Sequence, residues 1–253
     1  MTILCVGTWM VGPRAQLPPA YGPRFVRLVE RLRNSAEGDF SIALLGAMID
    51  VGDDFPPDSF LAIHECQAVF GRGGWMRKLA REIPVTYIPG GSDAFLYNSA
   101  ALRRELAPIR VIPEQLLLVP ERPERKSKVP QFALTHGWDA DAWNQPPSKP
   151  ILRPVIGPLR RPLQFVIDRL TQGAAVPAPT AAAIAAHRIR EACATDAATD
   201  TGMTGTVHGG TEPYWGRFCI NGTSVWCGSP GDIAHALVLN PEDPALSYLL
   251  DLL

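Results

Sequence analysis

Apolar and polar positions follow two regimes along the chain. In the N-terminal part, short apolar runs end in glycine and alternate with segments of helical spacing. Ile3–Val6, Phe40–Leu45 and Val85–Ile88 are such runs, closed by Gly7, Gly46 and Pro89-Gly90-Gly91. Largely apolar runs of this length, interrupted only by Ser41 and Thr86, predict buried strands. Between the first two, Phe25, Val26, Leu28, Val29 and Leu32 recur at helical spacing within residues 23–33, with arginines on the other side. That pattern predicts an amphipathic helix. Residues 75–82 place Met76, Leu79 and Ala80 on one face, and Pro84 stops the helix they predict. Strand, loop and helix in alternation predict a layered α/β sheet with its loops gathered at the strand C-termini.

From Val111 onward the pattern is strand-rich. Val111-Ile112, Leu116–Val119, Gln131–Thr135, Thr204–Val207, Arg217–Ile220, Val225-Trp226 and Ala234–Leu239 all have strand character. One long insert, residues 139–200, interrupts them. It opens rich in proline and continues as two helical stretches, 162–170 and 179–194. The second is alanine-rich, begins at Pro179 or Thr180, and has Ile184 and Ile189 as its few bulky apolar residues. Helices with so little apolar surface suit a cap or a partner surface better than a core. The chain therefore reads as one domain, residues 1–253, carrying the insert within it.

Composition narrows the class. At 253 residues and 46% hydrophobic content the chain is long enough to bury a full core. A formal net charge of −1 gives no basic field for nucleic acid or an anionic membrane. The five cysteines include no C-x-x-C pair, which argues against a disulfide framework or a zinc site and fits a reducing compartment. Residues 1–6 have no basic leader, and their apolar run is too short for a signal peptide or a membrane span. Cytoplasmic residence, with no transmembrane segment and no nucleic-acid partner, is the expectation. The sequence contains no G-x-S-x-G, no P-loop and no Rossmann glycine pattern.

Chemistry is suggested by five short segments, each following a strand-like run: Gly7-Thr8-Trp9-Met10, Gly46-Ala47, Pro89-Gly90-Gly91-Ser92-Asp93, Thr135-His136-Gly137 and Gly209-Gly210-Thr211-Glu212. Their order resembles the calcineurin-like metallophosphoesterase pattern D-x-H, G-D, G-N-H-D, H-G and G-H-T-H. The stretches 79–93 and 206–213, and the later Asn221-Gly222 through Asp232, are similar to the branch of UDP-2,3-diacylglucosamine hydrolases of lipid A synthesis. That branch also carries a helical insert over its lipid substrate. The resemblance covers nearly the whole chain. It implies a four-layer α/β/β/α sandwich and a cleft at one edge lined by Thr8, Trp9, Met10, Ala47, Gly91, Ser92, Asp93, His136, Trp138, Gly210 and Glu212.

Carried over position by position, the family's metal ligands are mostly gone. The first aspartate and histidine become Thr8 and Met10, the bridging aspartate Ala47, the asparagine Gly91 and its histidine Ser92. The last two histidines become Gly210 and Glu212, and His136 alone is retained. The family mechanism needs two cations about 3.5–4 Å apart to activate a water and neutralise phosphoryl charge. One imidazole and one carboxylate do not hold such a pair when three or more ligands per ion are normal. The expectation is a pseudoenzyme without a cofactor, binding a partner protein or a phosphorylated ligand in the former cleft. In this reading Asp93 chiefly secures its loop, His136 is a hydrogen-bonded relic or ligand contact, and Trp9 and Met10 fill the vacated space or grip an apolar ligand. The pairs Gly90-Gly91 and Gly209-Gly210 are tight turns, or else present N–H groups to a phosphate.

Two rivals stand beside it. One is an active phosphoesterase or pyrophosphatase using manganese or magnesium at a relocated site drawn from Asp50, Asp53, Asp93, His136, His208 and Glu212. The acidic turn Asp50, Asp53 and Asp54 otherwise reads as a solvated loop. The other rival is a structural subunit with the insert as its assembly surface. The insert's basic run, Lys149, Arg153, Arg160 and Arg161, is a solvated face or a docking patch for an anionic ligand or acidic partner.

Overall fold

The structure is a computed structural model that describes residues 1–7, 9, 11, 17–46, 48–49, 66–90, 93, 96, 99–112, 115–117, 131–135, 203–209, 216–220, 223–227 and 233–252. The expected insert, residues 139–200, lies outside them, as do its two expected helices and its basic run.

Eleven strands are described, in two sheets. The first takes β1 (Thr2–Val6), β2 (Phe40–Leu45), β3 (Val85–Ile88), β4 (Arg110–Val111), β10 (His235–Leu239) and β11 (Tyr248–Asp251), in the order β11-β10-β1-β2-β3-β4. β1 to β4 run parallel, whereas β10 and β11 are antiparallel additions at one side. The second sheet has β5 (Gln115–Leu117), β6 (Gln131–Thr135), β7 (Met203–His208), β8 (Gly216–Ile220) and β9 (Thr223–Cys227), in the order β5-β6-β7-β9-β8. Its central strands β6, β7 and β9 are again parallel.

The helices follow the parallel strands. α1 (Tyr21–Ser35) connects β1 to β2, α2 (Gln67–Phe70) and α3 (Trp75–Leu79) precede β3, and α4 (Ala100–Leu106) connects β3 to β4. α1 runs two residues beyond its expected bounds at each end. α3 stops earlier than expected, at Leu79, because the following residues close in turns that carry the chain to Pro84.

Period-two alternation with both faces covered explains why the central strands of the first sheet read as largely apolar runs. Leu4, Val6, Ile42, Leu44, Val85, Tyr87, Ala236 and Val238 face the helices, packing against Phe25 and Val29 of α1, Phe70 of α2, Met76 of α3 and Leu102 of α4. The alternate residues Ile3, Cys5, Ala43, Leu45, Ile88, Leu237 and Leu239 face the second sheet, where Phe132, Leu134, Val207 and Trp226 complete a separate core. Helices thus cover one face of the first sheet and the second sheet covers the other. Burial between the sheets pushes the Cys5 thiol pKa far up, so this cysteine is an inert core residue.

Candidate functional site

The strand ends beyond β1, β2, β3, β6 and β7 are tied to one another by backbone and packing. After β1, the Val11 N–H donates to the Met48 carbonyl at 2.9 Å, and Val11 and Ile49 form an isolated parallel bridge. After β2, Gly46 takes a left-handed φ of 112°, a conformation that glycine adopts without steric cost, and its N–H donates to the Ile88 carbonyl at the end of β3. The second sheet reaches the same place. Gly209, just beyond β7, lies so close to the end of β2 that a Cβ there would overlap the Leu45 carbonyl oxygen and come within 2.7 Å of the Leu45 Cβ. β6 ends beside β7, with Thr135 in register with His208.

The residues flanking all five sequence segments therefore converge at one edge of the two sheets. Of the expected lining, Thr8, Met10, Ala47, Gly91, Ser92, His136, Trp138, Gly210 and Glu212 lie outside the described residues, as do Asp50, Asp53 and Asp54. His208 is placed by its backbone pairing, between Thr135 on β6 and Cys227 on β9.

Asp93 is described, and it is fully buried. Its Oδ2 accepts from the Met48 N–H at 2.9 Å and from the Tyr87 hydroxyl, with the Ile49 N–H farther off at 3.5 Å. One carboxylate oxygen thus joins the loop after β3 to the loop after β2 and to the side chain of β3. Burial raises the Asp93 pKa well above the ordinary carboxylate range. The N–H groups of Met48, Ile49, Gly90 and Asp93 itself oppose that shift without cancelling it. Among the described residues no donor reaches Oδ1 in hydrogen-bonding geometry, so the nearby Gly90 and Asp93 N–H groups moderate the charge without satisfying that oxygen. Tyr87 is the partner that sequence reasoning missed. It sits in the β3 run as an ordinary strand aromatic, and its distance of six residues from Asp93 carries no signal of contact.

Trp9 was expected in the cleft, filling vacated space or holding a ligand. It is buried on the helical side of the first sheet, edge-on to Tyr21 and Phe25 at ring distances of 5.7 and 5.5 Å and tilted against Trp75 at 5.6 Å. The indole serves the core there and anchors the loop after β1 to α1 and α3, so it does not stand on a solvent-accessible rim. Cys66 anchors the same loop, its thiol donating to the Val11 carbonyl at 2.8 Å.

Asp93 is not a ligand in the pattern the resemblance implies, and it does not fit the relocated cation site that would draw on it. Asp93 is neutral-favouring, enclosed and engaged through Oδ2 with a backbone amide and a phenol. Among the described residues no three His, Cys, Asp or Glu side chains gather as a ligand set, and no helix is long and apolar enough to cross a membrane. In comparisons with known proteins, no family model and no curated protein sequence matches the chain.

Proposed function

We propose that this chain is a non-catalytic member of the metallophosphoesterase-like proteins, a cytoplasmic pseudoenzyme whose strand-end cleft binds a partner protein or a phosphorylated ligand. Its finer architecture in this reading is the four-layer α/β/β/α sandwich, with residues 139–200 as a helical insert beside the cleft. One observation above all weighs against the relocated-site rival: Asp93, which that site would draw on, is buried and engaged in joining loops. The sequence supports the same reading. Ala47 cannot bridge two ions, and Met10, Gly91 and Gly210 offer no metal-binding side chain. Losing a two-cation centre forfeits much of a rate enhancement worth about 8–23 kcal/mol, so background-level turnover is the expected outcome.

The test is hydrolysis of phosphomonoesters, phosphodiesters and nucleotide-sugar diphosphates with and without manganese. No metal-stimulated turnover above background is expected. Manganese-dependent turnover that disappears in His136→Ala would overturn the proposal in favour of a relocated metal site.

A further inference from the structure

The large hydrophobic side chains that stand exposed among the described residues all fall in one short stretch: Leu246 (61% exposed), Tyr248 (47%) and Leu249 (42%). This stretch leads into and forms part of β11, which has β10 on one side and no described strand on the other. The Leu252 N–H donates to the Ala234 carbonyl at 2.6 Å. Bonded pairs alternate along an antiparallel ladder. Leu252, Leu250 and Tyr248 therefore turn their backbone groups toward β10, and Leu249 turns its N–H and carbonyl outward.

The side chains alternate too. Leu249 is in register with Leu237 and shares its face, toward the second sheet, whereas Tyr248 and Leu250 share the helical face with Val238 and Ala236. Apolar surface is thus uncovered on both faces of one edge, with outward backbone groups between them. A ligand or helix lying on one face leaves the other in water. A strand that continues the sheet covers both faces and also meets the Leu249 N–H and carbonyl. The opposite edge of the sheet is built differently. β4 has only two residues, one of them Arg110, with Pro108 and Pro113 close by. Shortness, charge and proline are the usual defences of an edge against pairing; Tyr248–Asp251 is twice as long as β4, carries no proline, and has its one charge, Asp251, at its end.

We propose that β11 is a pairing edge and that its occupant is β11 of a second copy of this chain, antiparallel about a two-fold axis at Leu249. Leu249 then faces its own counterpart and exchanges two N–H to carbonyl bonds with it. Tyr248 lies opposite the second copy's Leu250, and Ser247 opposite its Asp251. The two Asp251 residues are four strand positions apart, about 14 Å at the usual strand rise, so no like charges meet across the axis. A two-fold contact requires a self-complementary patch, and this segment meets that condition in both hydrogen bonding and apolarity. The inference is independent of what the strand-end cleft binds.

Light scattering on the full chain from about 1 to about 200 µM tests it, because self-association is set by protomer concentration. The mass is expected to rise from 27.5 kDa toward twice that value. Leu249→Lys and Leu249→Pro should hold it at the single-chain mass with an unchanged far-ultraviolet spectrum, since the Leu249 N–H is not needed by β10. The wild-type chain supplies a second readout that needs no variant: the Leu249 amide should exchange fast when dilute and become protected as concentration rises. A single-chain mass throughout the range, a dimer that survives both substitutions, or a Leu249 amide unprotected at the highest concentration would each overturn the proposal. Protection of that amide only on adding an extended peptide would assign the edge to a foreign strand and overturn it equally.

Discussion

Replacing Asp93 with alanine removes the acceptor that joins three pieces of the strand-end edge. The Tyr87 hydroxyl then has no carboxylate to donate to. The Met48 N–H loses its 2.9 Å bond and keeps only the longer contact of 3.3 Å to the Tyr87 oxygen. A buried donor left without an acceptor costs about 1–3 kcal/mol, and since Met48 is partly rescued the sum for Asp93→Ala is about 2–4 kcal/mol. Asp93→Asn separates this bonding role from charge. Its amide oxygen can accept from Met48 and Tyr87, and its amide nitrogen takes the place of Oδ1, which accepts no hydrogen bond. The amide nitrogen brings buried N–H donors to a place without an acceptor, so a loss of about 1–3 kcal/mol is expected for it at neutral pH, with the bonds from Met48 and Tyr87 kept.

The pH dependence has a definite sign. Because burial raises the folded-state pKa of Asp93, the wild-type carboxyl contributes its full stability below the unfolded pKa of about 4, and that contribution is lost as pH rises through the folded value. Asparagine does not titrate. The stability of wild type relative to Asp93→Asn should therefore fall as pH rises from acid to neutral. Urea unfolding of the three proteins at several pH values reads both effects. A wild-type difference from Asp93→Asn that does not change with pH would refute the reasoning.

Gly209→Ala should lower the melting temperature, because its methyl meets the backbone of Leu45 where neither sheet can yield without parting; a cost of about 1–3 kcal/mol is expected. Gly46→Ala places a side chain on a φ of 112° and should cost about 1–2 kcal/mol in chemical denaturation, with the far-ultraviolet spectrum preserved. The melting temperature should be the same in chelator and in manganese, since the linkage that makes a metal site part of folding needs ligands that bind the folded state more tightly than the unfolded one. A large rise with manganese would point to the relocated site.

The strands were legible where apolar residues dominate both alternating sets, with few polar positions to blur the pattern. Phe40–Leu45, Val85–Ile88 and Gln131–Thr135 coincide with their expected bounds for that reason. α4 escaped because its seven residues include two arginines and a glutamate around only two buried leucines. Its one local signal is Ser99, whose hydroxyl accepts from the Leu102 N–H in the manner of a helix cap. β11 escaped because Tyr-Leu-Leu-Asp does not alternate, and its exposed leucine has no polar counterpart to reveal the period. Nor does the sequence say that β10 inserts antiparallel beside β1, a pairing between chain ends set by tertiary packing. For the site, glycines after strands located the edge, but the partners of Asp93 and the burial of Trp9 depend on contacts that no spacing encodes.

The way the edge is held together differs from the way a two-cation site is closed. In a two-cation site, carboxylates from separate loops repel one another until the ions bind, and the ions then join the loops. Here the described joints are of other kinds. The loop after β1 is held by the Val11–Met48 backbone bond, by the Cys66 thiol and by the Trp9 aromatic cluster. The loop after β2 is held by Asp93 and Tyr87, and the end of β7 by contact of Gly209 with Leu45. None of these joints involves two like charges. Each works through desolvated hydrogen bonds or packing, which are strongest where water is excluded. Joints of these kinds hold without an ion. In the proposed reading, these joints are what give the binding cleft its shape.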